Sequence, residues 1–334
     1  MRDLGDARPC AARSMMLKAE ADRRLAASLR YLLGVLEEQG GTAVGGGAKV
    51  DALEASLEDG ARLNAAAYAL HTQLRAALEA GDAAIAVEVA RAFVPAQLLV
   101  GAIAVSPQGA ARGDPLVQRL FDRVMIDEHI SAYKCDYDAR PPDPGHFLRS
   151  RDAQARVIDL IEAHDPETAR EFATYVSDIL IIGSDTINAG SSFRTHGLIL
   201  LRELPPERAW TTYLENLVHE AAHLHLFMVW TQDSVFHSGA NQLGPSPLRR
   251  GERPMSGIFH AMFVLARTIR AKRLFASIPA LSAEVAGMAT AYNNRQNPAP
   301  FEQKFAEAHA TLADANFTPV GRALYDSCAE MVAA

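Results

Sequence analysis

Between residues 25 and 36, leucine recurs as Leu25, Leu29, Leu32, Leu33 and Leu36, a spacing that an α-helix gathers onto one face. The same rhythm returns in "DALEASLEDGARLNAAAYALHTQLRAALEAG", "DAAIAVEVARAFVPAQLLVGAIAV", "ARGDPLVQRLFDRVMIDEHISAYKCDY" and "SRDAQARVIDLIEAHDPETAREFATYVSDI". Alanine is frequent and aromatic residues are sparse, so the chain is expected to be mainly α. "GGTAVGGGAK" interrupts the first helical stretch as a loop, and the proline-rich "DARPPDPGHF" at residues 138 to 147 reads as a loop within one fold. The character then changes. "DILIIGSDTIN" and "SSFRTHGLILLRE" carry the Ile and Leu alternation of two short strands around Asn188, Ala189 and Gly190, predicting a small β-sheet or hairpin.

At 334 residues, with 49% hydrophobic and 22% charged residues, the chain can bury a sizeable core. A formal charge of −7 gives no reason to expect nucleic acid or an anionic membrane as partner. Cys10, Cys135 and Cys328 are odd in number and unrelated in spacing, as expected of reduced thiols in a cytoplasm. The first residues lack the apolar core of a signal peptide. Residues 1 to 16 are expected to form a disordered tail ahead of one catalytic unit spanning 17 to 334.

Beyond the expected strands lies "PPERAWTTYLENLVHEAAHLHLFMVW". Pro206 suits a first helical position, and Leu214, Leu217, Val218, Ala221 and Leu224 keep to one side. His219 and His223, four residues apart, then project one above the other and can share an ion. This divides the unit into an N-terminal helical half of about 17–180 and a metal-site half of about 181–334. The continuation is not that of a metzincin, because HExxHxxGxxH would need glycine and histidine where Leu226 and Val229 stand. Nor do Glu252, Glu284, Glu302, Glu307 and Glu330 show the downstream glutamate arrangement of a thermolysin-like zinc site. The strongest downstream candidate is His260, with His237 as the fallback. His225, two residues past His223, points away from the ligand face.

"LVHEAAHLHL" followed by "SPLRRGERPMSGIFHAMFVLAR" resembles the HExxH-motif family of peptide-modifying proteins from bacterial gene clusters for ribosomally made, post-translationally modified peptides. The resemblance is most specific over residues 210 to 270, and above all in Arg253-Pro254 leading to His260. It implies an iron(II)- and 2-oxoglutarate-dependent oxygenase that consumes O2 and hydroxylates the β-carbon of a residue in a precursor peptide.

The residues supply a chemistry consistent with that. Iron(II) oxygenases hold the metal with three protein ligands on one face and leave the rest for a 2-oxo acid and dioxygen. His219, His223 and His260 would meet this with three imidazoles, departing from the usual two-histidine, one-carboxylate set. The distal carboxylate of 2-oxoglutarate calls for an arginine fork, Arg253 first and Arg249 second. Glu220 is then left to orient a ligand or a bound water. "RPMSG" is expected to end a loop, with a new helix starting at Ser256 or Gly257, His260 in its first turn, and Phe263, Val264 and Arg267 continuing the pocket wall. Two other readings stay open: a zinc metallopeptidase with Glu220 as general base, and a non-catalytic peptide-binding scaffold. Plainer roles also exist for single residues: Arg249, Arg250 and Arg253 as a solvated loop, Asp185 and Ser191 as turn residues.

Overall fold

A computed structural model of the chain describes residues 4–40, 44–110, 122–126, 137–248, 251–286 and 299–334. It is mainly α, with two small sheets. The helices are α1 (Ala11–Gly40), α2 (Gly46–Glu58), α3 (Ala65–Glu79), α4 (Ala83–Ala92), α5 (Pro144–His164), α6 (Pro166–Tyr175), α7 (Thr211–Trp230), α8 (Met255–Ala276), α9 (Ser282–Ala286), α10 (Phe301–Thr311) and α11 (Pro319–Ala333). The strands are β1 (Ala104–Pro107), β2 (Asp178–Ile182), β3 (Ala189–Gly190), β4 (Leu198–Arg202), β5 (Leu243–Pro245) and β6 (Glu252–Pro254). Among the described residues no helix is long and apolar enough to cross a membrane.

The chain separates into two compact units, neither of them continuous in sequence. One comprises Met1–Ser14, Pro144–Phe172 and Leu204–Ala334; the other comprises Met15–Asp143 and Ala173–Glu203. The expected single unit with a linear division near residue 180 is therefore replaced by two interleaved units.

In the second unit β1, β2 and β4 run parallel and β3 pairs antiparallel with β4, in the order β1-β2-β4-β3. The two expected strands exist, but they form a parallel pair rather than a hairpin. Residues 183–197 make the crossover, which contains β3. Ile179 to Ile182 and Leu198 to Leu201 are all fully buried, as befits the inner strands of a parallel sheet. Ala65 and Ala69 of α3 pack with Leu180, Ile182, Leu198 and Leu200 in one cluster. Gly197 turns the chain into β4 at φ 109°, where a Cβ would lie 2.8 Å from Ser177 Oγ, so no other residue fits without strain. Lys18 and Asp22 of α1 are buried as a pair at 2.6 Å. Lys18 also donates to Leu63 O, while Tyr68 and the Leu63 N–H donate to Asp22.

The first unit is built on α7 and α8, which pack along each other, with α5 against α7 and with α10 and α11 against α8. Phe236, Phe259 and Phe317 form an aromatic knot at centroid spacings of 5.2–5.7 Å. The stretch expected to be one helix over residues 150 to 179 is two, because Asp165 accepts from Thr168 N and Oγ1 as a cap and Pro166 begins α6.

Residues 4–16 are not a disordered tail. Ala7 is fully buried, its N–H donates to Ser327 Oγ at 2.9 Å and its carbonyl accepts from Arg267 Nε at 2.8 Å. Helix α1 has already begun at Ala11.

Candidate metal centre

Helix α7 is buried along most of its surface. Its partly exposed residues are Thr212, His219, His223, Phe227 and Trp230, spaced by 7, 4, 4 and 3 and so aligned in one stripe. The two motif histidines are thus the centre of the only strip of this helix that is not closed over by packing. The helix starts at Thr211 rather than near Pro206, because residues 205–208 form a turn.

The third histidine arrives on α8. Strands β5 and β6 pair antiparallel, with Gly244 opposite Arg253, and α8 follows directly after Pro254. The helix therefore begins at Met255, slightly earlier than expected, and His260 falls in its second turn. Gln242 O and Ala240 O accept from the N–H groups of Met255 and Ser256, fixing the entry of the helix. A Cβ at Gly257 would lie 3.5 Å from Arg253 Cζ, so the guanidinium lies over the first turn of α8.

The three imidazoles meet. His219 Nε2 lies 3.2 Å from His223 Nε2, and His223 Nδ1 lies 2.9 Å from His260 Nδ1. Burial pushes His219 down to about 4 and His260 down to about 3, and it holds His223 well below the usual histidine range. The Arg253 charge adds to the lowering at His223 and His260. All three rings are therefore neutral at pH 7, the form in which imidazole binds metals.

Two imidazole nitrogens bound to one ion at roughly 2.0–2.1 Å, at angles between a right angle and the tetrahedral value, would be about 2.8–3.4 Å apart. The His219–His223 Nε2 separation fits that spacing. His260 instead meets the opposite edge of His223, and one ring cannot turn both nitrogens toward a single ion. Consistent with this, among the described residues no group of three or more His, Cys, Asp or Glu side chains is placed to share one metal. The donor chemistry fits a divalent transition metal, two of the donors are in position, and the third completes a set only after its ring moves.

The other candidates fall where their surroundings send them. Glu220 is buried on α7, 5% exposed. Glu252 and His237 are exposed, while Arg249, with Arg250, lies outside the described residues. His225 points away from the site, as its position predicts, and its Nδ1 lies 3.3 Å from Glu171. Arg267 does not line the pocket; it is bonded to Glu171 and to Ala7 O. Asp185 pairs with Arg140 in the second unit.

Two residues escaped the sequence reading. Phe227 stacks on His223 at 6.2 Å and tilts against His260 at 5.2 Å, and Trp230 stands edge-on to His260 at 4.2 Å. Their signal was present in the spacing, since they lie four and seven residues beyond His223. No protein-family model matches the chain, and no curated protein matches it either.

Proposed function

We propose that this chain is an iron(II)- and 2-oxoglutarate-dependent oxygenase that hydroxylates the β-carbon of a residue in a ribosomally synthesised precursor peptide, working in the cytoplasm where that peptide is made. The observation that carries the reading is the meeting of three neutral imidazoles beside the Arg253 guanidinium. Iron(II), bound with 2-oxoglutarate and dioxygen, supplies the oxidising chemistry.

The chain's own residues do the rest. Burial keeps the lone pairs of His219, His223 and His260 free of protons, and the nearby Arg253 charge reinforces this at the last two. Arg253 offers a planar fork for the distal carboxylate of 2-oxoglutarate, with two parallel charge-assisted hydrogen bonds. Glu220 orients a ligand or a bound water, and Phe227 and Trp230 keep solvent from the histidines.

The test needs no peptide. Under anaerobic conditions, adding 2-oxoglutarate to the iron(II)-loaded protein should produce a visible charge-transfer band, and admitting air should release succinate. Losing a charge-assisted bond costs about 1.5–3 kcal/mol, so Arg253→Leu should raise the 2-oxoglutarate needed for half the band by about 10- to 100-fold with iron binding retained. Iron uptake with neither band nor succinate would sink the oxygenase reading. Cleavage of peptides with zinc in the absence of oxygen would establish a metallopeptidase using Glu220 as base.

A further inference from the structure

We propose that the outer edge of strand β1, in the second unit, holds the peptide substrate by adding it to the sheet as a further strand. The inference rests on the peptide-modifying reading above and names the surface that binds the peptide backbone.

Strand β1 stands at one end of the order β1-β2-β4-β3, so among the described residues only one of its sides is paired. The Ala104 and Gln108 N–H groups donate to Ser177 O and Ile181 O on the β2 side, and the parallel ladder alternates between them. Across a planar trans peptide each carbonyl points opposite to the following N–H. Ile103 O, Val105 N–H and Val105 O therefore face away from β2, and among the described residues none of the three has a hydrogen-bond partner. Edge strands are usually blunted by charge, a bulge or proline. Here the run from Gly101 to Ser106 carries no charge, Ala104 is exposed and Val105 partly so, and Pro107 lacks a donor only at the strand's end. The three outward groups present acceptor, donor and acceptor in sequence, which the backbone of an extended chain complements. The side chains alongside, Ala102, Ala104 and Ser106, are small, so recognition runs through the backbone and tolerates many sequences. A second copy of the protein fits the edge less well. Strand β1 has four residues, about 13 Å at 3.3 Å per residue, whereas a stable dimer buries about 1,200–2,000 Å², more than an edge this short supplies. A short extended peptide needs no more than the edge offers.

The probe is a fluorescein-labelled synthetic peptide of alternating valine and threonine, flanked by lysines for solubility, titrated with the full chain and followed by polarisation. Wild-type protein should bind it, and methylating every backbone nitrogen of the probe should abolish binding. Val105→Pro should weaken binding at least about 10-fold, because the ring removes the outward donor and fills its place. That substitution leaves the bonds to β2 intact, since the Val105 N–H takes no part in them. If it nevertheless fails to fold, the methylated probe on wild-type protein decides. Equal affinity for the methylated and unmodified probes, undiminished binding by Val105→Pro, or no binding by wild type overturns the inference. So does a wild-type dimer in sedimentation that Val105→Pro dissociates, which makes the edge a contact between copies. The oxygenase reading stands or falls separately, on succinate release, which needs no peptide.

Discussion

At the scale of single residues, Glu215, one turn ahead of His219 on α7, is a carboxyl buried against its chemistry. It is 2% exposed and Lys304 of α10 is fully buried; among the described residues neither the Glu215 Oε2 nor the Lys304 Nζ has a hydrogen-bond partner. Burial drives the Glu215 carboxyl up to about 8 against the pull of Lys304 and of Lys272. The folded state therefore holds this proton more tightly than the unfolded chain does. Stability from Glu215 is fully present below the ordinary carboxylate range and is lost as pH rises toward about 8. Glu215→Gln keeps the shape and removes the ionisation. It should raise stability at pH 8 by about 1–3 kcal/mol, the desolvation cost of an unsatisfied buried group, and flatten the decline in Tm between pH 5 and 8. Parallel Tm profiles for variant and wild type would show that Glu215 finds a partner on ionising. Lys304 works in the opposite sense: burial lowers its pKa, so its contribution is lost as pH falls. Neither residue stood out in the sequence, because a Glu and a Lys nearly ninety positions apart carry no periodic signal.

Among the elements, what was legible is what local spacing controls. The helical rhythm located α1, α7 and α8, and the runs Ile179–Ile182 and Leu198–Leu201 marked two strands. Their parallel pairing was not readable, since it depends on which edges meet and not on either run alone. Asp165-Pro166 was a readable cap that the continuous apolar spacing concealed. The N-terminal segment was missed for a related reason: it is held by polar atoms, not by an apolar stripe. Glu171 of α6 is the hub of that attachment. It accepts from Arg267 of α8, from the Cys10 N–H at 3.4 Å and from Ser14 Oγ at 3.0 Å, and it lies 3.3 Å from His225 Nδ1 on α7. Removing one partner of a buried charged pair strands the other. Glu171→Ala should therefore cost about 3–5 kcal/mol in urea unfolding, whereas Glu171→Leu combined with Arg267→Met should recover part of that loss. A cost below about 1 kcal/mol, the level of an exposed pair, would mean that Arg267 finds other acceptors and the hub is not what anchors the segment.

On the scale of the whole molecule, the division into two interleaved units follows from contacts hundreds of residues apart, such as Ala7 with Ser327 and Arg267, and no local pattern announces them. The same long-range burial gives the chain a shared response to acid. His71 is held near 4, His219 near 4 and His260 near 3, and His223 and His225 lie well below the usual range, all five chiefly because burial disfavours the charged ring. His71 lies in the second unit and the other four in the first, so both units carry the liability. For each, the folded pKa is depressed, so the unfolded chain takes up protons first. Stability is complete above the ordinary histidine value of about 6.5 and is lost as pH falls toward about 4. Glu215 runs the other way and offsets part of the loss. Several histidines against one carboxyl leave the acid side the weaker, and in the presence of a chelator Tm should fall steeply between pH 6.5 and 4. Two substitutions separate the units: His71→Gln should shallow the fall in one and His225→Gln in the other, each by roughly the share of one proton in the linkage slope. Added zinc(II) or cobalt(II) at pH 6.5 should raise Tm, because an ion bound by His219 and His223 competes with protons for the same lone pairs. A Tm that stays level from pH 6.5 to 4 in chelator would show that these rings accept protons without unfolding, and with that the neutral-imidazole basis of the metal centre would fall.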